Sequence, residues 1–243
     1  MGDVLRGRTV VVIGGTSGIG LAVARAAIEA GARVVVGSSQ AANVEAAVAG
    51  LGAAASGHAV DVGDEAAVAA FFASVGPFDH LAFTAGDWGG AGRGPLKSVD
   101  LAGAGAMFKV RFWGAIYASK HARAAIVPGG SITLTTGMIA HRPTKGSALP
   151  TAMAGAIEHL TQGLAVELAP VRVNCVCPGL IRTEVWNSIP AEGREERFTQ
   201  MTKRQLIPRI GEAQEAAQAY LYLMRGGYTT GQVLQVDGGT GFG

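Results

Sequence analysis

The sequence is poor in the residues that carry most covalent and metal chemistry. Its 243 residues include two cysteines, five histidines and four tyrosines. Two cysteines give no disulfide framework, which fits a reducing compartment. Cys175 and Cys177 stand two apart in one apolar run, so they share one face of a strand and read as small buried side chains. No further ligands stand at metal-site spacing in the sequence, so no metal is expected. Charge is scarce and balanced: 16% of residues are charged, 20 basic against 18 acidic, for a net +2. No basic stripe interleaved with aromatics appears, which argues against a nucleic-acid partner. No run reaches the ~18 uncharged apolar residues of a membrane helix, so no membrane partner is expected either. The N-terminus lacks the apolar stretch of a secretory signal, and Arg6 stands where a myristoylation signal has Ser or Thr. The expected location is the cytoplasm.

What is abundant is apolar residues, at 49%, and glycine, at 37 residues spread without a period. That is a globular composition, long enough for a well-buried core. Short β-branched runs alternate with Ala-rich amphipathic stretches. Strands are predicted at 9–15, 33–39, 57–62, 79–86, 131–136 and 171–177, with a last one in QVLQVDGG. Helices are predicted at 19–32, 42–53, 64–76 (capped by Asp64), roughly 98–125 after a glycine-rich loop, 150–169 with Pro150 in its first turn, and 212–224. Such alternation predicts right-handed βαβ units and a parallel sheet covered on both faces. The pattern never changes regime, so residues 1–243 are expected to form one domain. Residues 180–211 interrupt the alternation and are too long for an ordinary connection; a lid over a site is the expectation, a disordered insertion the alternative.

Gly14-Gly15-Thr16-Ser17-Gly18-Ile19-Gly20 follows the first strand and opens the first helix. In that context Gly14 permits the turn, Gly18 lets backbone approach a diphosphate, and Gly20 allows helix to pack on strand. The helix N-terminus offers N–H groups to phosphate, with Thr16, Ser17 and Ile19 beside them. The second strand ends Gly37-Ser38-Ser39-Gln40, with no acid to hold a ribose 2′-OH. Hydroxyls at Ser38 and Ser39 can donate to a 2′-phosphate, which favours NADP(H) over NAD(H). Asp61-Val62 ends the third strand near an adenine position; a cap or turn role is the alternative for Asp61.

In order and spacing, these motifs resemble the short-chain dehydrogenase/reductase family over nearly the whole chain. Thr84-Ala85-Gly86 is similar to the tail of the family's Asn-Asn-Ala-Gly motif. Arg172-Val173-Asn174 and Pro178-Gly179 resemble its sixth-strand signature, and Ile181 and Thr183 fall where the family contacts the nicotinamide carboxamide. Val236-Asp237-Gly238-Gly239 resembles the C-terminal strand end. The resemblance implies a three-layer Rossmann fold with a doubly wound seven-stranded parallel sheet, and a homodimer or homotetramer. It also exposes departures from the family's catalytic Asn, Ser, Tyr and Lys. Arg111 aligns with the Asn, Gly137 with the Ser (Thr136 beside it), Pro150 with the Tyr and Ala154 with the Lys.

In the family the Tyr hydroxyl protonates the developing alkoxide and the Lys lowers its pKa. Losing a positioned acid costs ~10²–10⁴ in rate. Substitutes stand nearby in sequence. His141, in HRPTKG, titrates in the right range to donate a proton, unless it belongs to a solvated basic loop. Arg111 can clamp an anion or stabilise an oxyanion, or form a helix-surface ion pair. Thr135 or Thr136 can supply the Ser hydroxyl. Three functions follow in order: an oxidoreductase acting on a small carbonyl or alcohol substrate with a rebuilt proton donor, a nucleotide-binding protein without turnover, and non-redox chemistry on the same scaffold.

Overall fold

Residues 4–86 and 92–242 are described by a computed structural model. Part of the glycine-rich loop expected after the fourth strand, residues 87–91, lies outside them. The β-branched runs form strands β1 (Thr9–Ile13) and β2 (Arg33–Ser38), joined by helix α1 (Gly18–Glu29). In chain order follow α2 (Ala41–Leu51), β3 (Ala55–Ala59), α3 (Glu65–Val75), β4 (Phe78–Phe83), α4 (Leu101–Phe108), α5 (Gly114–Ala122), β5 (Ile126–Thr135), α6 (Ala148–Glu167) and β6 (Arg172–Pro178). The chain then passes through the two-residue β7 (Ile181–Arg182), α7 (Arg194–Thr202), the two-residue β8 (Gly211–Glu212), α8 (Ala213–Arg225) and β9 (Val233–Val236).

Seven strands form one parallel sheet in the order β3-β2-β1-β4-β5-β6-β9. Both faces are covered, and the central strand β1 is buried on both sides from Val10 to Ile13. One face packs Phe71 and Phe72 of α3, Ala115 and Ala118 of α5, and Met153 and Ile157 of α6. The other packs Val23 and Ala27 of α1 against Tyr220 and Leu223 of α8. This is the doubly wound Rossmann arrangement. Winding reverses between β1 and β4, so the loops leaving those two strands part and open a crevice at their carboxyl ends.

Three elements differ from the sequence-based expectation. Strand β3 ends at Ala59 instead of 62, because the Asp61 carboxylate accepts the Gly63 N–H at 2.8 Å and turns the chain. The single helix expected over 98–125 is two, α4 and α5, joined by a π-helical turn at Lys109–Trp113. Strand β5 begins at Ile126, earlier than expected, with a register irregularity opposite β4 between Phe78 and His80.

Segment 180–211 folds into structure of its own. β7 pairs with β8, a 3₁₀ turn spans Glu184–Ser188, and α7 follows. Trp186 meets Phe198 edge to face at 5.7 Å, and Phe198 lies buried beneath the Arg182 guanidinium at 4.9 Å. Their apolar surface is therefore spent within the segment. Among the described residues no helix is long and apolar enough to cross a membrane.

Candidate functional site

A cavity of about 770 Å³ fills the crevice at the winding reversal. Its nucleotide-shaped end is made by backbone. Gly14 leaves β1 with φ +85, and a Cβ there would lie 2.6 Å from the Ala85 nitrogen. At Gly20 a Cβ would lie 2.1 Å from the Gly14 oxygen and 2.4 Å from Thr84 Oγ1. Only glycine permits this approach of the β1 and β4 loops to helix α1. Helix α1 opens at the cavity with Ser17 as its N-cap residue. Ser17 makes no side-chain cap bond, and no acid stands in the first turn. By contrast, Asp64 at the start of α3 accepts from the N–H groups of Ala66 and Ala67, as expected for a cap. The unclaimed N–H groups of α1 thus face a concave space, the arrangement that suits a phosphate.

Thr16, Ser17, Gly18 and Ile19 line this end, with Ser38 and Ser39 at the tip of β2 and Asp61 and Val62 after β3. Thr16 Oγ1 donates to Ser38 Oγ at 3.2 Å, so the two hydroxyls are held together at the rim. Asp61 and Ser39 are exposed. A dinucleotide fits these residues: a glycine cradle, a capless helix N-terminus, hydroxyls at the β2 tip and an acid-free turn beside them.

The other end is made by Ala85 and Gly86 after β4, Arg111, Thr135, Pro178, Thr183 and one face of α4. Arg111 is buried, at 4% exposure, and the π-helical turn carries it. Its side chain crosses Gly86, where φ is +139 and a Cβ would lie 2.4 Å from Arg111 Cγ. A glycine there is the condition for an arginine to reach the cavity. Thr135 Oγ1 donates to the Phe83 carbonyl at 2.6 Å and accepts from the Tyr220 hydroxyl, also at 2.6 Å. Burial raises the Tyr220 pKa, so that phenol is a structural donor and a poor acid.

Several residues singled out in the sequence stand elsewhere. Thr136 is fully buried and donates to the Ala154 carbonyl at 2.9 Å, away from the cavity; strand alternation turns Thr135 to the cavity in its place. His141 also lies off the cavity, bonded to Glu158 at 3.0 Å, because the 3₁₀ turn Met138–Ala140 carries it over α6. Gly179 packs against Asp237, with a Cβ position 2.7 Å from its Cα. The Ile181 side chain points to Gly211 and lines a separate cavity of about 140 Å³ with Gln205 and Ile207. Tyr117 stacks on Trp113.

The sequence reading missed two groups. Gly103, Ala106, Met107 and Val110 line the Arg111 end from α4 and the turn after it, and their helical spacing was the available signal. Glu184 and Val185 line the mouth just past Thr183, with no signal beyond adjacency. The Glu184 carboxylate lies 3.3 Å from a Cβ position on Gly18 and is exposed.

A family model described as enoyl-(acyl carrier protein) reductase matches residues 14–241. The chain is 33% identical to the short-chain dehydrogenase/reductase ATR9 of Stachybotrys chlorohalonatus, over 97% of each protein. It is 34% identical to a small-chain dehydrogenase solved in complex with NADPH, with a TM-score of 0.80, covering 97% of this chain and 99% of that one. It is 32% identical to the MalC reductase/Diels-Alderase of Malbranchea aurantiaca, with a TM-score of 0.90, covering 98% and 97%.

Proposed function

The chain belongs to the short-chain dehydrogenase/reductase family, and from that premise we propose that it is an NADP(H)-dependent oxidoreductase of a small carbonyl or alcohol substrate, working without the usual Tyr–Lys proton donor. One observation carries the reading: a single cavity joins the capless start of α1 and the Ser38–Ser39 tip to the buried guanidinium of Arg111. A nicotinamide cofactor supplies a hydride to a carbonyl carbon, or takes one from an alcohol.

The roles of the chain's own groups follow from their places. The N–H groups of α1, with Gly14 and Gly18, hold the diphosphate. The hydroxyls of Thr16, Ser38 and Ser39 face a 2′-phosphate that a carboxylate would repel. Asp61 and Val62 would hold the adenine side of the cofactor, and Ala85, Gly86, Pro178 and Thr183 its nicotinamide half. Arg111 donates hydrogen bonds to the substrate oxygen and holds the negative charge that develops there. It cannot give up a proton near neutral pH. Among the described residues lining this end none is a ready proton donor, so in this reading the proton that completes the alcohol comes from water entering at the mouth by Glu184. Thr135 cannot donate it, since its hydroxyl is committed to the Phe83 carbonyl. The 180–211 segment serves as the lid. A homodimer or homotetramer is supported by apolar side chains left exposed on the outer helical layer, Trp113 and Val166 among them.

A second reading, an NADP(H)-binding protein without turnover, draws on one fact: Arg111 and Glu184 are the ionisable groups among the described residues lining the reaction end. Calorimetric titration with NADPH and NADH, followed by single-turnover absorbance of bound NADPH against a panel of aldehydes and ketones, separates the two. Tight NADPH binding with oxidation by one panel member, lost in Arg111→Met, supports the oxidoreductase. Binding with no oxidation leaves the second reading standing, and no binding overturns both.

A further inference from the structure

On the face of β6 turned away from α8, three side chains from separate parts of the chain converge. His141 follows the 3₁₀ turn after β5, Glu158 sits nearly three turns into α6, and Cys177 stands next to the last residue of β6. A ligand atom of each (imidazole nitrogen, carboxylate oxygen and thiol sulfur) lies within 4.8 Å of the others. Their access to solvent is graded. Cys177 is fully buried, the Glu158 side chain is 12% exposed and that of His141 is 37% exposed. Met138 Sδ adds a second sulfur 3.6 Å from Cys177 Sγ. None of these residues lines the nucleotide cavity.

We propose that His141, Glu158 and Cys177 form a zinc site with an open fourth position. The donor set decides the metal. One nitrogen, one carboxylate oxygen and one sulfur match a borderline cation. Hard cations such as calcium or magnesium need a shell of oxygens, which is not provided here. Metal binding releases the Cys177 thiol proton to solvent, and the resulting thiolate and the Glu158 carboxylate together neutralise a dication. Bond lengths of roughly 2.0–2.3 Å to zinc imply ligand separations of about 3.3–3.7 Å in a tetrahedron. The His141–Glu158 pair, at 3.0 Å, is already near that spacing. The adjustment needed is a small movement of His141 and Cys177, and His141 stands on the exposed rim where movement is easy. Entry is from the same rim. The local sequence gave no ligand spacing because the three residues come from three elements brought together only by the sheet and its crossover helix. Once loaded, the metal ties the end of β6 to α6, the helix on which Pro150 and Ala154 stand.

The test uses the full chain, stripped with a chelator and titrated with cobalt(II), then zinc(II). The expected result is one equivalent of cobalt with a thiolate-to-cobalt charge-transfer band, displaced by zinc. Cys177→Ser loses the band, while Cys175→Ser keeps it, because Cys175 lies deeper on the same strand, beside Thr161. His141→Ala, on the rim, weakens binding by more than roughly tenfold, a loss that even an outer-sphere partner can produce. That variant keeps the test decisive if Cys177→Ser does not fold. Absence of the band in the native chain, its survival in a folded Cys177→Ser, or unchanged affinity in His141→Ala overturns the proposal and leaves an ion pair beside a buried thiol.

Discussion

The two ends of the main cavity are built from different materials. The nucleotide end rests on backbone: glycines that let three segments touch, the free N–H groups of α1, and a few short hydroxyls. The reaction end rests on one long side chain, Arg111, threaded past Gly86 from a π-helical turn. A backbone site depends on chain path and on the glycines that permit it. A side-chain site can be rebuilt by changing one residue without moving the chain. The glycine loop is therefore present, while by the sequence alignment Arg111, Gly137, Pro150 and Ala154 are the residues expected at the family's four catalytic positions.

Substitutions can break this contrast. The largest effect should come from Gly18→Ala. Gly18 has φ +50, and a Cβ there would press on the Thr183 side chain at 3.1 Å. Losing one or two charge-assisted phosphate contacts, at roughly 1.5–3 kcal/mol each, should lower NADPH affinity in calorimetry on the order of 10³-fold. Arg111→Met should do the reverse. Turnover should fall roughly 10²–10³-fold, as for loss of an oxyanion donor, while NADPH affinity stays near its native value. A fall of affinity in parallel with turnover would mean that Arg111 serves the cofactor, and the two ends would not be separable.

A third perturbation should spare neither end. His80 is buried in β4 and bonded to Ser131 at 2.9 Å. Burial is the main cause that pushes its pKa down to about 4; Arg172 and Arg8 add to the effect, and Asp79 opposes it. The unfolded chain binds this proton near pH 6.5, so the stabilising contribution is complete above that pH and is lost as pH falls towards 4. The loss should be on the order of 3 kcal/mol. Chemical denaturation across pH 4–7 should show this slope, and His80→Gln should flatten it. Ser38→Asp should then sharpen the reading of the nucleotide end, shifting the ratio of NADPH to NADH affinity on the order of tenfold towards NADH. Smallest, Thr136→Val should cost about 1 kcal/mol in denaturant melts, for its bond to the Ala154 carbonyl, with cofactor affinity unmoved.

The contrast also explains what the sequence could and could not tell. The order of elements and the glycine loop were legible because hydrophobic period and glycine position are local signals. The π-helical turn that divides the 98–125 segment was not, since no proline or other residue at Lys109–Trp113 marks it in the sequence. At the reaction end, Arg111 was legible by its place in a motif. Thr136 and His141 were misplaced because their direction depends on strand parity and on the turn at Met138–Ala140, neither of which is fixed by sequence adjacency. The grouping of His141 with Glu158 and Cys177 depends on tertiary packing alone and carried no linear signature.

The bare start of α1 has a consequence beyond recognition. A helix whose first turn has no side-chain cap is incomplete until something else occupies its donors. A nucleotide seated there acts as the missing cap and binds the native chain in preference to the unfolded one, so it raises the resistance of the whole domain to unfolding with its concentration. The amount of this protein that survives proteolytic surveillance would then follow the supply of its nucleotide. In that sense Ser17, by leaving the helix uncapped, would make the lifetime of the chain a readout of the nucleotide pool, if the proposed cofactor is seated there.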